Sequence, residues 1–285
     1  MPLSATVEGE VLCAPLVEPA RWAGLRGKGI RLQPCGHPGF PRVSAAGTQH
    51  FVHARDCGCE HAESGEHLRL KAVVAAAVDR AGWQAATEVS GEGFIADVVA
   101  TRGQRTVVFE VQRSKQVLRE YERRQARYTA AGIRCVWLVA TVPAGHLAGP
   151  DLPLFRVTEW MGDQPLAMVA GRPLTVPRLV TALLSGDCHW CDEVGGRSVR
   201  YETLRQLCPL CGRQREVEVA RWSTGGCACG LPVIKAGHGI DWPAGGTCCG
   251  YWGEWITVGM RARQQVSAAP VPAGHWCLTD SGRRR

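Results

Sequence analysis

A carboxylate stands inside the apolar run Phe94-Ile95-Ala96-Asp97-Val98-Val99. A second carboxylate and an amide stand two residues apart in Thr106-Val107-Val108-Phe109-Glu110-Val111-Gln112. Side chains alternate faces along a strand, so Glu110 and Gln112 share one face while Val111 points into the opposite layer. A hairpin turning through Thr101-Arg102-Gly103-Gln104-Arg105 lets Asp97 lie across from Glu110. Two acidic oxygen donors brought together suit a hard divalent cation such as Mg²⁺, which keeps its remaining positions for water and phosphate. The chemistry this points to is phosphodiester hydrolysis.

The elements that must position these groups are readable on either side. Glu66 to Ala81 is a run of good helix formers that stops at Gly82, with His67 and Lys71 one turn apart on one face. Gln116 to Ala131 carries Val117, Tyr121, Gln125 and Tyr128 at helical spacing and crowds its other faces with arginine; Gly132 ends it. Ile133 to Ala140 then reads as a buried strand. The order is helix, strand, strand, helix, strand.

Glu63-Ser64 and Glu66-His67 with Lys71, then Glu88, Asp97-Val98, Glu110-Val111-Gln112 with Ser114, then Arg124, Tyr128, Gly132 and Trp137 resemble the competence CoiA-like nuclease domain. The resemblance covers roughly residues 30 to 140, with weaker similarity toward 187. It implies a PD-(D/E)xK nuclease-like α/β core, a mixed sheet flanked by helices, in which Asp97 and Glu110 match the metal-binding acids. Gln112 takes the place usually held by lysine, and Ala96 stands where the superfamily name has proline. A lysine there orients the attacking water and stabilises charge on phosphorus; glutamine can orient water but brings no charge. Lys28, Lys71, Lys115 and Lys235 are the only lysines available to compensate. The resemblance implies Gln112 as a site residue, with Glu66, His67 and Lys71 as further catalytic or phosphate contacts and Glu66 or Glu88 completing the metal shell.

Plainer readings stand beside these. Acids in half-buried strands usually face solvent, His67 and Lys71 can form a simple polar face, and Glu63, Ser64 and Glu66 suit a helix start through capping and the dipole. An arginine-rich helix is often merely solvated, whereas beside a phosphodiesterase site Arg119, Arg123, Arg124 and Arg127 become candidate phosphate contacts.

The chain has 285 residues, 14 cysteines and a formal charge of +7. It lacks an apolar run long enough to span a bilayer and a secretion-type start, so a cytoplasmic protein without membrane contact is expected. The charge favours an anionic partner, and arginine suits bidentate phosphate contacts. Cysteines in that setting point to metal ligation before disulfides. Cys188 and Cys191 with Cys208 and Cys211 have zinc-ribbon spacing, a closed thiolate shell for a structural Zn²⁺. Cys227, Cys229, His238, Cys248 and Cys249 form a less regular second group, while Cys13, Cys135 and Cys277 look solitary. Near the N-terminus, Cys35, His37, His50, His53, Cys57, Cys59 and His61 crowd a Gly/Pro-rich stretch. The run His50-Phe51-Val52-His53 resembles the module preceding the nuclease in CoiA-like proteins, so another Zn²⁺ is expected, held by Cys35, His53, Cys57 and Cys59, with His37 or His61 able to replace any one.

The expected division is an irregular, zinc-binding N-terminal module at 1–62, the nuclease core at 63–140, a Pro/Gly-rich connector at 141–187 and a cysteine-rich zinc-ribbon-like region at 188–285. The function expected is Mg²⁺- or Mn²⁺-dependent hydrolysis of DNA in uptake, recombination or defence, with proteins of those processes as further partners. The competing expectation is a non-catalytic nucleic-acid-binding protein that keeps the nuclease fold and its zinc modules.

Overall fold

Glu8 and Gly9, with φ of 52° and 85°, form the left-handed pair of a tight turn that joins β1 (Ser4–Val7) to β2 (Glu10–Cys13). The computed structural model describes residues 2–54, 58–59, 63–146, 149–161, 164–169, 172–191, 197–207, 214–224, 237–241 and 275–278. After α1 (Pro19–Ala23), the strands β3 (Ile30–Leu32), β4 (Pro38–Val43) and β5 (Gln49–His53) complete a five-stranded sheet ordered β2-β1-β3-β4-β5. Its core gathers Val7, Leu12, Ile30 and Leu32 around Trp22 and Phe51, whose rings lie 5.0 Å apart. The N-terminal segment is therefore a small sheet rather than an irregular module. Strands this short carry too few alternations to stand out as periodicity.

Ser64 caps α2 (Gly65–Arg80), its hydroxyl accepting the His67 N–H at 3.2 Å, and Gly82 at φ 73° turns the chain out of the helix. The strands β6 (Gln84–Gly91), β7 (Phe94–Arg102) and β8 (Arg105–Gln112) follow as a meander. The helix α3 (Leu118–Ala130) then crosses over to β9 (Arg134–Val139), which pairs parallel to β8. The segment expected to be a connector adds β10 (Leu154–Met161), β11 (Gln164–Val169) and β12 (Arg172–Thr175), then α4 (Val176–Ser185). The result is a mixed seven-stranded sheet in sequence order from β6 to β12, parallel only at β8–β9 and β9–β10. Pro165 and Pro173 obscured these strands; Pro173 is tolerated because β12 is the sheet edge, where a missing N–H breaks no internal ladder.

The helix α3 covers one face of the sheet, burying Tyr121 and Tyr128 on Val108, Cys135, Trp137 and Val139. Val107, Phe109 and Val111 point to the other face by strand alternation. The helix α2 lies against β6, β7 and β8 and beside α4. Cys135 is fully buried, as a small apolar side chain would be.

Residues Met1–His189 belong to one compact unit and Trp190–Thr279 form a second. Beyond α4 lies β13 (Cys188–Cys191). In the second unit β14 (Arg197–Leu207), β15 (Gln214–Thr224) and β16 (Gly237–Asp241) make an antiparallel three-stranded sheet, and β17 (His275–Leu278) follows. Cys208, Cys211, Cys227, Cys229, Cys248 and Cys249 lie outside the described residues. Among the described residues no helix is long and apolar enough to cross a membrane.

Candidate metal centre

The β-ladders lapse along one row of acids. Between β6 and β7 the pairing passes from Thr87↔Val98 to Val89↔Ala96, leaving out Glu88 and Asp97. Between β7 and β8 it ends at Val98↔Phe109, one residue short of Asp97 and Glu110. Glu88 sits at φ 52°, a left-handed conformation that costs a non-glycine residue about 1 kcal/mol. The backbone freed by this lapse is used by side chains: the Val111 N–H, instead of completing the ladder, donates to Asp97 Oδ2 at 2.8 Å.

The helix α2 and the residue before its cap deliver the rest. His67 and Lys71, four residues apart on α2, share a face, and Glu63, just before the Ser64 cap, reaches both. One donor atom each from Glu63, His67 and Asp97 falls within 4.8 Å of the others, and His67 Nε2 is 3.4 Å from Asp97 Oδ1. Lys71 is fully buried and donates to Glu63 Oε1 at 2.6 Å and Glu88 Oε1 at 2.7 Å, with Asp97 Oδ1 3.9 Å away. The other oxygen of Glu88 accepts the Leu3 and Ser4 N–H groups of the N-terminal sheet at 3.1 and 3.0 Å. Burial alone would push the Lys71 ammonium down, but the charges of Glu88, Asp97 and Glu63 outweigh it and hold its pKa above the ordinary lysine value. Burial likewise opposes ionisation of Asp97, yet the His67 hydrogen bond, Lys71 and the Val111 N–H bring its pKa below the usual carboxylate range. Three carboxylates against one ammonium leave an excess of two negative charges, which suits a divalent cation.

Glu110 lies beside Asp97 but is turned toward α3. Its Oε2 accepts from Arg124 Nη2 at 2.7 Å and its Oε1 from the Tyr128 hydroxyl. Burial first, and then the charge of Asp97, push its pKa up to about 8. Gln112 donates to the Ser114 carbonyl and hydroxyl, and its Oε1 accepts from Arg124 Nη1 at 3.2 Å. The Arg124 guanidinium, 4.6 Å above the Trp137 ring, thus joins Glu110 and Gln112. It places a positive charge beside the Gln112 amide.

Of the residues expected from sequence, Asp97, His67 and Lys71 come together, with Glu110 and Gln112 adjoining through Arg124. Glu66 does not join them: it is exposed and paired with Arg113 at 2.7 Å. Glu66 stands one position before His67, and one position along a helix rotates a side chain about 100°, so Glu66 points away from the face shared by His67 and Lys71. Glu88 serves Lys71 and β1 rather than completing the metal group. Glu63, expected as a helix-start residue and as part of the family resemblance but not as a ligand, joins the donor group.

A second donor group lies in the N-terminal sheet. Cys35, His37, His53 and Cys59 bring their ligand atoms within 4.8 Å of one another. Cys35 Sγ is 3.4 Å from His53 Nε2, and Cys59 Sγ is 3.6 Å from His37 Nδ1. A tetrahedral ion bound at about 2.0 to 2.3 Å holds its donors about 3.3 to 3.8 Å apart, so the spacing fits such an ion. Of the expected ligands Cys35, His53 and Cys59 are in this group together with His37, the expected alternative; Cys57 and His61 lie outside the described residues. His50 is buried on the Thr48 carbonyl, and burial lowers its pKa. A cavity of 190 Å³ has Cys35, His53 and Cys59 on one wall and Glu63, Glu88 and Asp97 on the other.

Residues 63–146, the span that contains α2, the acid row and α3, match the family model of the competence protein CoiA, nuclease-like domain. This segment is similar to the CoiA nuclease-like domain. No curated protein and no solved structure matches the chain. Within the matched segment lie Glu63, His67, Lys71, Glu88, Asp97, Glu110, Gln112 and Arg124, whereas the cysteine and histidine donors of the N-terminal sheet precede it.

Proposed function

We propose that the chain is a divalent-metal-dependent deoxyribonuclease with a PD-(D/E)xK core. The observation that carries this reading is the convergence of Glu63, His67 and Asp97 at the break in the sheet, with Glu110 beside them. These residues fit a divalent ion by donor type and by charge, and Glu110 lies beside them with its pKa raised to about 8 by burial and by Asp97. When bound, the metal supplies Lewis-acid polarisation of a phosphoryl oxygen and a more acidic water. Asp97 is oriented for this by the Val111 N–H, and Lys71 neutralises part of the acid cluster while its ion pairs anchor it away from substrate. Gln112 presents an amide to a water, and Arg124 offers the charge that steadies the phosphorane-like transition state. An imidazole among the donors favours Mn²⁺ over Mg²⁺.

Cys35, His37, His53 and Cys59 would hold a structural Zn²⁺, and Cys188, Cys191, Cys208 and Cys211 a second by their spacing. One observation favours a second reading. Both Glu110 oxygens already have donors, as befits a nuclease fold kept for binding nucleic acid without cutting it. Incubating the full chain with circular single-stranded and linear duplex DNA, in Mn²⁺ and in chelator, separates the two. The nuclease reading expects Mn²⁺-dependent cleavage that falls at least ~100-fold in Asp97→Asn; DNA binding with no cleavage under any metal sinks it and leaves the binding protein.

A further inference from the structure

A groove of 600 Å³ runs between the turn joining β6 to β7 and the outer face of α3. One wall is formed by Gly91, Gly93 and Phe94, the other by Glu120, Arg123, Arg124 and Arg127, so three guanidiniums face one carboxylate. Arg123 pairs with Glu120 at 2.6 Å and Arg127 donates to the Gly93 carbonyl, yet each guanidinium has five N–H donors and keeps capacity for an anion. The groove leads to the acid row, because Arg124 and Tyr128 line it and also hold Glu110. Its volume is that of a site for a drug-sized ligand, enough for a short length of one strand and too small for a duplex.

Ile95 stands at the junction. It lines both this groove and the cavity containing Asp97, and at 45% exposure its side chain is available to a ligand at that junction. Beyond it the acids are recessed: Asp97 is 17% and Glu110 1% exposed. A strand that brings a phosphate to them must bend into the recess past Ile95, and an inserted isoleucine is one of the wedges that part base steps.

We propose that this groove is a track for a single nucleic-acid strand, with Arg123 and Arg127 on its phosphates and Ile95 unstacking the base at the entrance to the acid row. The proposal rests on the nuclease reading for its meaning, but binding tests it without any cleavage. The full chain in Ca²⁺ is titrated with a fluorescent oligonucleotide, single-stranded or as a duplex of the same sequence. The strand carries a fluorescent adenine analogue whose emission rises on unstacking. Expected are at least ~10-fold tighter binding of the single strand, and a salt slope reduced by about 1.4 in Arg123→Gln/Arg127→Gln, from two lost phosphate contacts. An emission rise that disappears in Ile95→Ala is also expected. Equal or tighter duplex binding, an unchanged slope, or a rise that survives Ile95→Ala would each overturn it. Tight single-strand binding with no cleavage in Mn²⁺ would remove the nuclease reading and leave the track standing.

Discussion

Replacing Lys71 with methionine removes the one cation enclosed by Glu63, Glu88 and Asp97 and fills its apolar volume almost unchanged. Lys71 is fully buried while its partners Glu63 and Glu88 are 22% and 9% exposed, so the charges left behind are only partly hydrated. Removing one partner of a buried pair costs about 3 to 5 kcal/mol, and the residual exposure of Glu63 argues for about 3 kcal/mol. In a folding unit of this size that is a fall in Tm of roughly 6 to 12 °C. Calorimetry of both proteins in metal-free buffer reads it directly. The pH dependence has a definite sign. Because the folded Lys71 pKa is raised, its contribution is fully present below the ordinary lysine value and is lost only as pH rises through the raised one. Because the Asp97 pKa is lowered, its part persists until pH falls below the usual carboxylate range. The gap between the proteins is therefore constant across neutral pH and narrows in acid as the carboxylates lose their charge. A cost under about 1 kcal/mol at neutral pH, the size of an exposed pair, or a gap that widens in acid, refutes the charge balance assigned to this cluster.

Arg124→Gln should lower cleavage about 100-fold with the fold retained, because the guanidinium bonded to Gln112 is lost, and Arg124→Lys should recover part of it; a change below about threefold in single-turnover rate would remove Arg124 from the chemistry. Glu110, whose pKa is raised to about 8, is mostly protonated at neutral pH, so Mn²⁺ binding should release a proton there and tighten as pH rises toward that value. Calorimetry in buffers of different ionisation enthalpy reads the release, and identical apparent enthalpies would contradict it. Cys59→Ser should lower bound zinc by close to one ion per chain by elemental analysis, whereas unchanged zinc would free this group from a metal role.

The acid-bearing strands were legible because period-two alternation survives a single carboxylate, and Gly82 and Gly132 mark the helix ends by their left-handed φ of 73° and 68°. The company kept by those acids was not. Glu63 precedes the N-cap of α2, and its approach to Asp97 depends on where the sheet sets that helix. Glu88 reaches Lys71 and the β1 amides only through a left-handed backbone no local pattern announces. Glu66 and Glu63 are both carboxylates near a helix start, but Glu66 lies within α2 about 100° from His67 and pairs with Arg113, whereas Glu63 lies before the cap. In the N-terminal sheet the Glu8-Gly9 turn lacks the Asn-Gly or Asp-Gly pair that marks a hairpin, and His37 meets His53 only through the pairing of β4 with β5. Proline in β11 and β12 disguised strands as linker. The spacing of Cys188, Cys191, Cys208 and Cys211 remains a statement about sequence.

The most direct test of the acid cluster as a metal centre is anomalous diffraction at the manganese edge from crystals of the full chain soaked in Mn²⁺. The account predicts a peak within bonding distance of Asp97 together with Glu63 and His67, absent in Asp97→Asn crystals grown in the same form. A wild-type map with no peak there, or a peak that persists without the Asp97 carboxylate, would contradict it.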